Sequence, residues 1–194
     1  RLILPLRHQT YENIDKPQSF QSIISIHLQI ITFSLLLPIT HTVIQSKGRL
    51  LDLSKPLVMA ILNATPDSFY NKGQESDTDS LLRNAEKMLK EGAAILDIGG
   101  ASTKPGQDLI SADEELQRII PVITAIHNRF PDTWLSIDTY NAKVAYESVH
   151  AGASIVNDVS GGRFDTGLLH TVAKLKVPYI AMHMQGTPKT MQQD

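Results

Sequence analysis

The chain contains no cysteine. Disulfide bonds, thiolate metal sites and cysteine nucleophiles are therefore excluded within it. A cysteine-free sequence is compatible with a reducing compartment, and we expect a cytoplasmic location. The formal net charge of −2 provides no electrostatic basis for binding nucleic acid or an anionic membrane. We therefore expect no nucleic-acid partner.

Charged residues are also missing from a long stretch near the amino end. No Asp, Glu, Lys or Arg occurs between Pro17 and Ser46. A transmembrane helix needs about 20 predominantly apolar residues, whereas polar residues repeatedly interrupt the centre of this stretch, Ile23–Ile39. The chain begins at Arg1, which is typical of a fragment or a processed form. We expect residues 1–41 to form an extension of uncertain structure, and a membrane span or a signal peptide is disfavoured.

From residue 42 to residue 194, short apolar runs alternate with amphipathic helical patterns. The runs predicted as buried parallel strands are Leu57–Leu62, Ala94–Ile98, Trp134–Ile137, Ser154–Val156 and Val177–Met182. The predicted helices are Asp77–Glu91, Asp113–His127, Ala142–His150 and Thr166–Leu175. Pro121 makes a kink or break possible in the second of them. A short hairpin is predicted over residues 47–53. The alternation predicts an α/β fold, a TIM-type (β/α)8 barrel with about five of its eight units in this chain.

Polar residues follow the predicted strands, where parallel α/β folds place their chemistry. Asn63 ends the first strand; its amide oxygen suits Mg²⁺ or a phosphate, and a simple turn is the alternative. The second strand ends at Asp97, followed by two glycines and by Ser102, Thr103 and Lys104. These side chains suit an anion-binding loop, and a solvated flexible loop is the alternative. The spacing does not match a P-loop.

The next two strands end in polar side chains that can form hydrogen bonds with a heterocycle. Asp138 can accept from ring N–H and amino groups, and Asn157 can both donate and accept. The alternatives are a helix N-cap for Asp138 and a structural turn at Asp158. Met182, after the fifth strand, can pack against a flat ring. His183 is read as a structural histidine, with a general base as the alternative.

Five segments in order resemble dihydropteroate synthase of folate biosynthesis. They are ILNATPDSF, EGAAILDIGGASTKPG, LSIDTYNAKVA, GASIVNDVSGG and YIAMHMQGTP. The resemblance runs from about Thr42 to the last residue. It implies a TIM barrel and a transferase that condenses 6-hydroxymethyl-7,8-dihydropterin diphosphate with p-aminobenzoate, giving 7,8-dihydropteroate and diphosphate. It also implies a Mg²⁺ requirement, sensitivity to sulfonamides and a homodimeric full-length form.

The resemblance also implies roles for particular residues. Asn63 would hold the Mg²⁺-diphosphate, and Thr103 and Lys104 would lie at the diphosphate and p-aminobenzoate. The remaining implied contacts are Asp97, Asp138, Asn157 and Met182 in the pterin pocket, and Phe69 and Pro105 near the p-aminobenzoate ring.

Two departures qualify this resemblance. Lys104 stands where the family commonly has Arg, so we expect weaker diphosphate binding because the bidentate guanidinium fork is lost. The family's later strands supply further pterin-binding groups that cannot be placed in this sequence, so we expect low stability and little synthase activity from these 194 residues alone. The alternatives are a pterin-binding methyltransferase-type domain and a truncated, non-catalytic pterin-binding product.

Overall fold

A computed structural model of the chain describes residues 42–64, 77–100 and 110–182. It contains a two-stranded hairpin and a five-stranded parallel sheet in the order β3-β4-β5-β6-β7. The strands are β1 (Val43–Ser46), β2 (Arg49–Asp52), β3 (Met59–Asn63), β4 (Ile95–Gly99), β5 (Trp134–Asp138), β6 (Ile155–Asp158) and β7 (Tyr179–Ala181). Each strand of the parallel sheet pairs with the next one along the chain. All five predicted core strands are therefore confirmed, with ends shifted by no more than two residues.

Four helices lie in the described ranges, and they match the four predicted ones. They are α1 (Asp77–Lys90), α2 (Ala112–Arg129), α3 (Ala142–Ala151) and α4 (Leu168–Leu175). Helix α2 continues through Pro121 without a break, and Pro121 is exposed, so its ring points away from the packed side. In the part of the chain that the structure describes, no helix has the length and apolar character needed to cross a bilayer.

Alternate residues of the strands face opposite sides of the sheet. One side packs against the helices and forms the larger core, to which each central strand contributes: Leu62, Leu96, Ile98, Leu135, Ile137 and Val156. The opposite side, called the inner face below, carries a second apolar cluster: Ile95, Trp134, Ile155 and Ile180 with Met59 beside them. In β3 to β6 these inner-face residues are the first of each strand, and Ile180 is the middle residue of β7.

The hairpin covers the amino-terminal part of the inner face. Its turn places Lys47 and Gly48 at φ values of 50° and 75°, as a two-residue hairpin turn requires. Ile44 of the hairpin joins the inner cluster, and the Arg49 guanidinium lies 4.9 Å from the centre of the Trp134 ring. The predicted hairpin is confirmed, although it begins at Val43. The hairpin lies over the amino-terminal part of the inner face, whereas the polar groups of that face lie further toward the carboxyl ends of the strands.

Candidate functional site

The described site residues predicted from sequence lie together at the carboxyl ends of the strands. By strand alternation, Asn63, Asp97, Asp138 and Asn157 share the inner face with the apolar cluster, and Met182 directly follows β7. The structure therefore brings these five residues to one edge of the sheet, as parallel topology requires. The other predicted site residues lie outside the described residues: Phe69, Thr103, Lys104 and Pro105.

A buried hydrogen bond joins Asp97 to Asn157. The Asn157 amide donates from Nδ2 to Oδ2 of Asp97 at 2.9 Å, and each residue is only 1% exposed. The two residues belong to β4 and β6, so the bond crosses the inner face of β5, which lies between them. With Nδ2 turned toward the carboxylate, Asn157 has a defined amide orientation, and its Oδ1 is the acceptor left to face a ligand.

A gap at Gly99 separates two further polar groups. Gly99 pairs in register with Asn63 on one side and with Asp138 on the other. A methyl group placed on Gly99 would lie 3.5 Å from Oδ1 of Asn63 and 4.0 Å from Oδ2 of Asp138. The missing side chain thus leaves space bordered by an amide oxygen and a carboxylate oxygen, where a ligand can approach the backbone.

The end of β6 is held by the carboxylate of Asp158. Its Oδ1 accepts from the Ser160 N–H at 2.7 Å, and its Oδ2 accepts from the Gly162 N–H at 2.6 Å. The Tyr179 hydroxyl also donates to Oδ2, at 2.7 Å. Burial, and then the Asp158 carboxylate, raise the pKa of Tyr179, so the phenol remains a donor. Asp158 is thus the structural turn residue that was the sequence-based alternative.

The same residue connects β6 to the residue after β7. The backbone N–H of Met182 donates to the backbone oxygen of Asp158 at 3.0 Å. Because Asn157 immediately precedes Asp158, one turn sets the positions of both Asn157 and Met182.

Asp138 is not the N-cap of the helix that follows it. That role belongs to Asn141, whose Oδ1 accepts from the N–H groups of Lys143 at 2.9 Å and Val144 at 3.3 Å. Asp138 keeps its place on the inner face, beside Gly99 and Asn157 in register. The cap alternative for Asp138 is therefore wrong.

A buried glutamate lies beneath the ends of β4 and β5. Glu115 of α2 is 1% exposed, and burial raises its pKa to about 7, against the opposing effects of the Thr139 hydroxyl and the Arg118 guanidinium. Its Oε1 has no hydrogen-bond partner among the described residues. Glu115 also packs against Gly100: a methyl group placed on Gly100 would lie 3.1 Å from Cγ of Glu115. The sequence pattern did not identify this residue, because Glu115 follows two other acidic residues in what reads as an exposed first turn.

Two other inner-face residues were missed by sequence reasoning. Ile61 and Ser136 pair in register with Asp97 from the two sides. Ile61 is 51% exposed, whereas the hydroxyl of Ser136 is buried without a hydrogen-bond partner in the described ranges. The available signal was alternation, since each residue lies two positions before a predicted site residue. The carboxyl edge therefore combines an exposed apolar side chain with convergent polar groups, which suits a flat polar heterocycle.

Comparison with known proteins identifies the family of this chain. The family model described as "Pterin binding enzyme" matches residues 59–194. The chain is 47% identical over 147 residues to the dihydropteroate synthase of Haemophilus influenzae, and this alignment covers 76% of the chain and 53% of the relative. The chain thus spans about half the length of that relative.

Solved structures agree with this match. A Yersinia pestis dihydropteroate synthase in a sulfonamide drug complex superposes with a TM-score of 0.70 at 47% identity, covering 78% of this chain and 55% of that chain. A Xanthomonas albilineans dihydropteroate synthase with 4-aminobenzoic acid gives a TM-score of 0.70 at 40% identity, covering 75% and 53%. The predicted α/β fold, a partial TIM-type barrel, is confirmed. The chain belongs to the pterin binding enzyme family and is similar to its dihydropteroate synthases.

Proposed function

We propose that the protein is a dihydropteroate synthase, a transferase of folate biosynthesis. It would join 6-hydroxymethyl-7,8-dihydropterin diphosphate to p-aminobenzoate. A C–N bond forms between the pterin methylene carbon and the aniline nitrogen, the C–O bond to diphosphate breaks, and the aniline nitrogen loses a proton to solvent. The observation that carries this proposal is the buried Asp97–Asn157 pair at the carboxyl edge of the sheet, considered together with the family membership.

The pterin ring would bind on the inner face, against the polar groups of β4, β5 and β6. Asp138 supplies an acceptor for ring N–H and amino groups, and Asn157 supplies an acceptor through Oδ1. Asp97 fixes the Asn157 amide through the 2.9 Å bond, so the arrangement of donors and acceptors is set before the ligand arrives. Met182, half-buried after β7, would pack against the ring.

The diphosphate would bind beside Asn63, with Thr103 and Lys104 as further contacts. Asn63 is exposed at the carboxyl end of β3, and its Oδ1 borders the Gly99 gap. Lys104 would supply the positive charge that a leaving polyanion needs. Thr103 and Lys104 lie outside the described residues, and their roles remain predictions, as do those of Phe69 and Pro105 at the p-aminobenzoate ring.

Asn63 is also the residue we assign to Mg²⁺. The described residues contain no group of three or more His, Asp or Glu side chains that could hold a metal ion. A single amide oxygen fits Mg²⁺ nevertheless, because this ion keeps several waters and takes other ligands from substrate phosphates. When bound, the ion would neutralise negative charge on the departing diphosphate.

The direct test is product formation by the complete natural protein. With both substrates and Mg²⁺, we expect 7,8-dihydropteroate and diphosphate in equal amounts, and no product when p-aminobenzoate is left out. Chelation should abolish turnover and added Mg²⁺ should restore it. A sulfonamide should compete with p-aminobenzoate. A folded protein that binds the pterin diphosphate but makes no product would support the non-catalytic alternative and overturn the synthase proposal.

A cytoplasmic location and a homodimeric full-length form remain parts of the proposal. Cell fractionation with an antibody to the chain tests the first, and light scattering of the complete protein tests the second. Recovery in an organelle fraction, or a monomeric mass at working concentration, would contradict them.

A further inference from the structure

Two consecutive glycines lie at the carboxyl end of β4. Gly99 is the last residue of the strand and Gly100 follows it; both are buried, and a pair of glycines has little conformational preference of its own. The backbone oxygen of Gly99 accepts from the Ala64 N–H at 2.7 Å, which ties it to the end of β3. Gly100 lies beyond the paired part of the strand, so contacts from outside the sheet set its orientation.

Helix α2 supplies these contacts. Arg118 donates from Nη1 to the Gly100 backbone oxygen at 3.0 Å. A methyl group placed on Gly100 would lie 2.5 Å from Cγ2 of Ile119. The carbonyl group of Gly100 and the position of its missing side chain are therefore both turned toward α2, on the helix side of the sheet. The gap at Gly99 lies on the opposite side, on the inner face.

The guanidinium of Arg118 is itself fixed. Its Nη2 donates to Oε1 of Glu114, one turn earlier in α2, at 2.5 Å, and the Arg118 side chain is only 21% exposed. The planar guanidinium carries donors on separate nitrogens, so it can hold a carboxylate and a carbonyl oxygen at the same time. A hydrogen bond from a charged donor is also about twice as strong as a neutral one. Arg118 thus fixes Gly100, which the glycine pair cannot do by itself.

The direction of the Gly100 carbonyl group affects the charge at the gap. A carbonyl oxygen carries a partial negative charge, and one turned toward the inner face would repel an anion bound there. In the structure, the Gly100 oxygen faces the Arg118 guanidinium and the Gly99 oxygen faces the Ala64 N–H. Neither backbone oxygen is directed into the gap, so an anionic ligand can approach the glycine backbone.

We propose that Arg118 is a positioning residue for the diphosphate: it holds the Gly100 carbonyl group against α2 and so keeps the gap at Gly99 free of a repelling oxygen. This inference rests on the proposed function, which assigns Asn63 to the diphosphate and Asp138 to the pterin on the two sides of the gap. Arg118 acts through Gly100 rather than on the substrate, because its hydrogen bonds are made on the helix side of the sheet.

Arg118→Met tests this role, because it removes the donors and keeps much of the side-chain length. Two ligands separate diphosphate from pterin: 6-hydroxymethyl-7,8-dihydropterin diphosphate with Mg²⁺, and the uncharged alcohol 6-hydroxymethyl-7,8-dihydropterin. In calorimetry on the complete protein, we expect Arg118→Met to raise the Kd of the diphosphate at least about fivefold and to leave that of the alcohol within about twofold of wild type. Arg118→Lys, which retains one charged donor, should recover part of the lost affinity.

Arg49→Met is the matched control for stability. Arg49 also donates to a backbone oxygen, that of Thr133 at 3.3 Å, but it belongs to the hairpin, at the other end of the sheet from the gap. Thermal unfolding should show a loss of stability comparable with that of Arg118→Met, whereas the Kd of both ligands should be unchanged. A weaker diphosphate complex in Arg49→Met as well would show that the effect is one of stability, and the positioning role would be wrong.

A double variant tests whether Arg118 acts through the gap. Gly99→Ala fills the gap with a methyl group, so adding Arg118→Met to it should raise the Kd of the diphosphate less than Arg118→Met does alone. If wild type binds neither ligand, both this inference and the proposed function fail. If wild type binds both ligands, but Arg118→Met binds the diphosphate as tightly as wild type or loses affinity equally for both ligands, the positioning role is wrong and the proposed function stands.

Discussion

The hydroxyl of Tyr179 donates to Oδ2 of Asp158 at 2.7 Å, and this bond ties β7 to the end of β6 on the helix-facing side of the sheet. Both residues are buried. The bond helps to hold Asn157 and Met182 in fixed relative positions. Asn157 directly precedes Asp158, and the backbone N–H of Met182 donates to the Asp158 backbone oxygen.

Removing this bond should destabilise the protein. Tyr179→Phe deletes one hydrogen bond to a buried carboxylate while keeping the ring, so we expect the free energy of unfolding to fall by about 1.5–3 kcal/mol. Denaturant unfolding of both proteins measures this change in the free energy of unfolding. Tyr146→Phe is the matched control, because Tyr146 is 48% exposed, and it should change stability by less than about 0.5 kcal/mol. A Tyr179→Phe variant as stable as wild type would show that the bond does not support the β6–β7 contact.

Glu115 should make stability depend on pH. Its folded-state pKa of about 7 lies above the ordinary value of 4.5, so the unfolded chain loses this proton first as pH rises. The contribution of Glu115 to the free energy of unfolding is therefore greatest below pH 4.5. It falls as the pH rises to about 7 and is constant above that pH. A shift of this size corresponds to about 3 kcal/mol in total.

The measurement compares wild type with Glu115→Gln by urea unfolding at several pH values. The amide does not titrate, and the surface carboxyls Asp52 and Glu86, whose pKa values are lowered by their hydrogen-bond partners, are common to both proteins and cancel. We expect wild type to lose stability relative to Glu115→Gln between pH 4.5 and pH 7. A difference that stays constant over this range would contradict the raised pKa.

Two adjacent glycines should respond differently to alanine. A methyl group on Gly99 meets Asn63 and Asp138 at ordinary distances, 3.5 Å and 3.8 Å to the nearest atoms, whereas one on Gly100 would lie 2.5 Å from Cγ2 of Ile119. We expect Gly100→Ala to cost about 1–3 kcal/mol of stability. Gly99→Ala should leave stability nearly unchanged but weaken ligand binding, because the methyl group fills the gap between two proposed site residues.

Thermal unfolding and titration with the pterin diphosphate on the same samples separate the two effects. If Gly99→Ala binds the ligand as tightly as wild type, the gap between Asn63 and Asp138 is not part of the site.

Asn157 should be required for pterin binding. Asn157→Ala removes the donor to Asp97 and the free Oδ1 together, so we expect pterin affinity to fall at least about tenfold and stability to fall by about 1–3 kcal/mol. Asn141→Ala is the control, because Asn141 caps α3; it should cost about 1 kcal/mol of stability with unchanged affinity. An Asn157→Ala protein with wild-type affinity would remove Asn157 from the proposed site.

Lys104 is predicted to bind the diphosphate less well than an arginine would. Lys104→Arg introduces a fork that can donate two parallel hydrogen bonds to one anion. One added bond of about 1 kcal/mol corresponds to about a fivefold lower KM for the pterin diphosphate. Steady-state kinetics with p-aminobenzoate saturating measures this, and Lys104→Met, which removes the charge, should raise the same KM. An unchanged KM in both variants would place Lys104 away from the diphosphate.

The sequence by itself determined the order of the elements and the positions of the described site residues along the chain. The apolar run Trp134–Ile137 and the other four short apolar runs predict buried strands, because a strand covered on both faces tolerates few polar residues. Gly92 marks the end of α1 because its φ of 102° is a conformation that few other residues adopt. Parallel topology then placed Asn63, Asp97, Asp138 and Asn157 at one edge without further information.

Only the tertiary structure decided which polar groups meet and which are buried. The Asp97–Asn157 bond joins residues 60 positions apart, and it forms because the sheet order places β4 and β6 on either side of β5. Glu115 and its exposed neighbour Glu114 have the same local signal, yet only Glu115 points beneath β4 and β5. Likewise, the sequence offered Asp138 as a helix N-cap, whereas the structure gives that role to Asn141. Local patterns report propensity and periodicity, whereas burial, pKa and hydrogen-bond pairing depend on atoms that are distant in the chain and close in space.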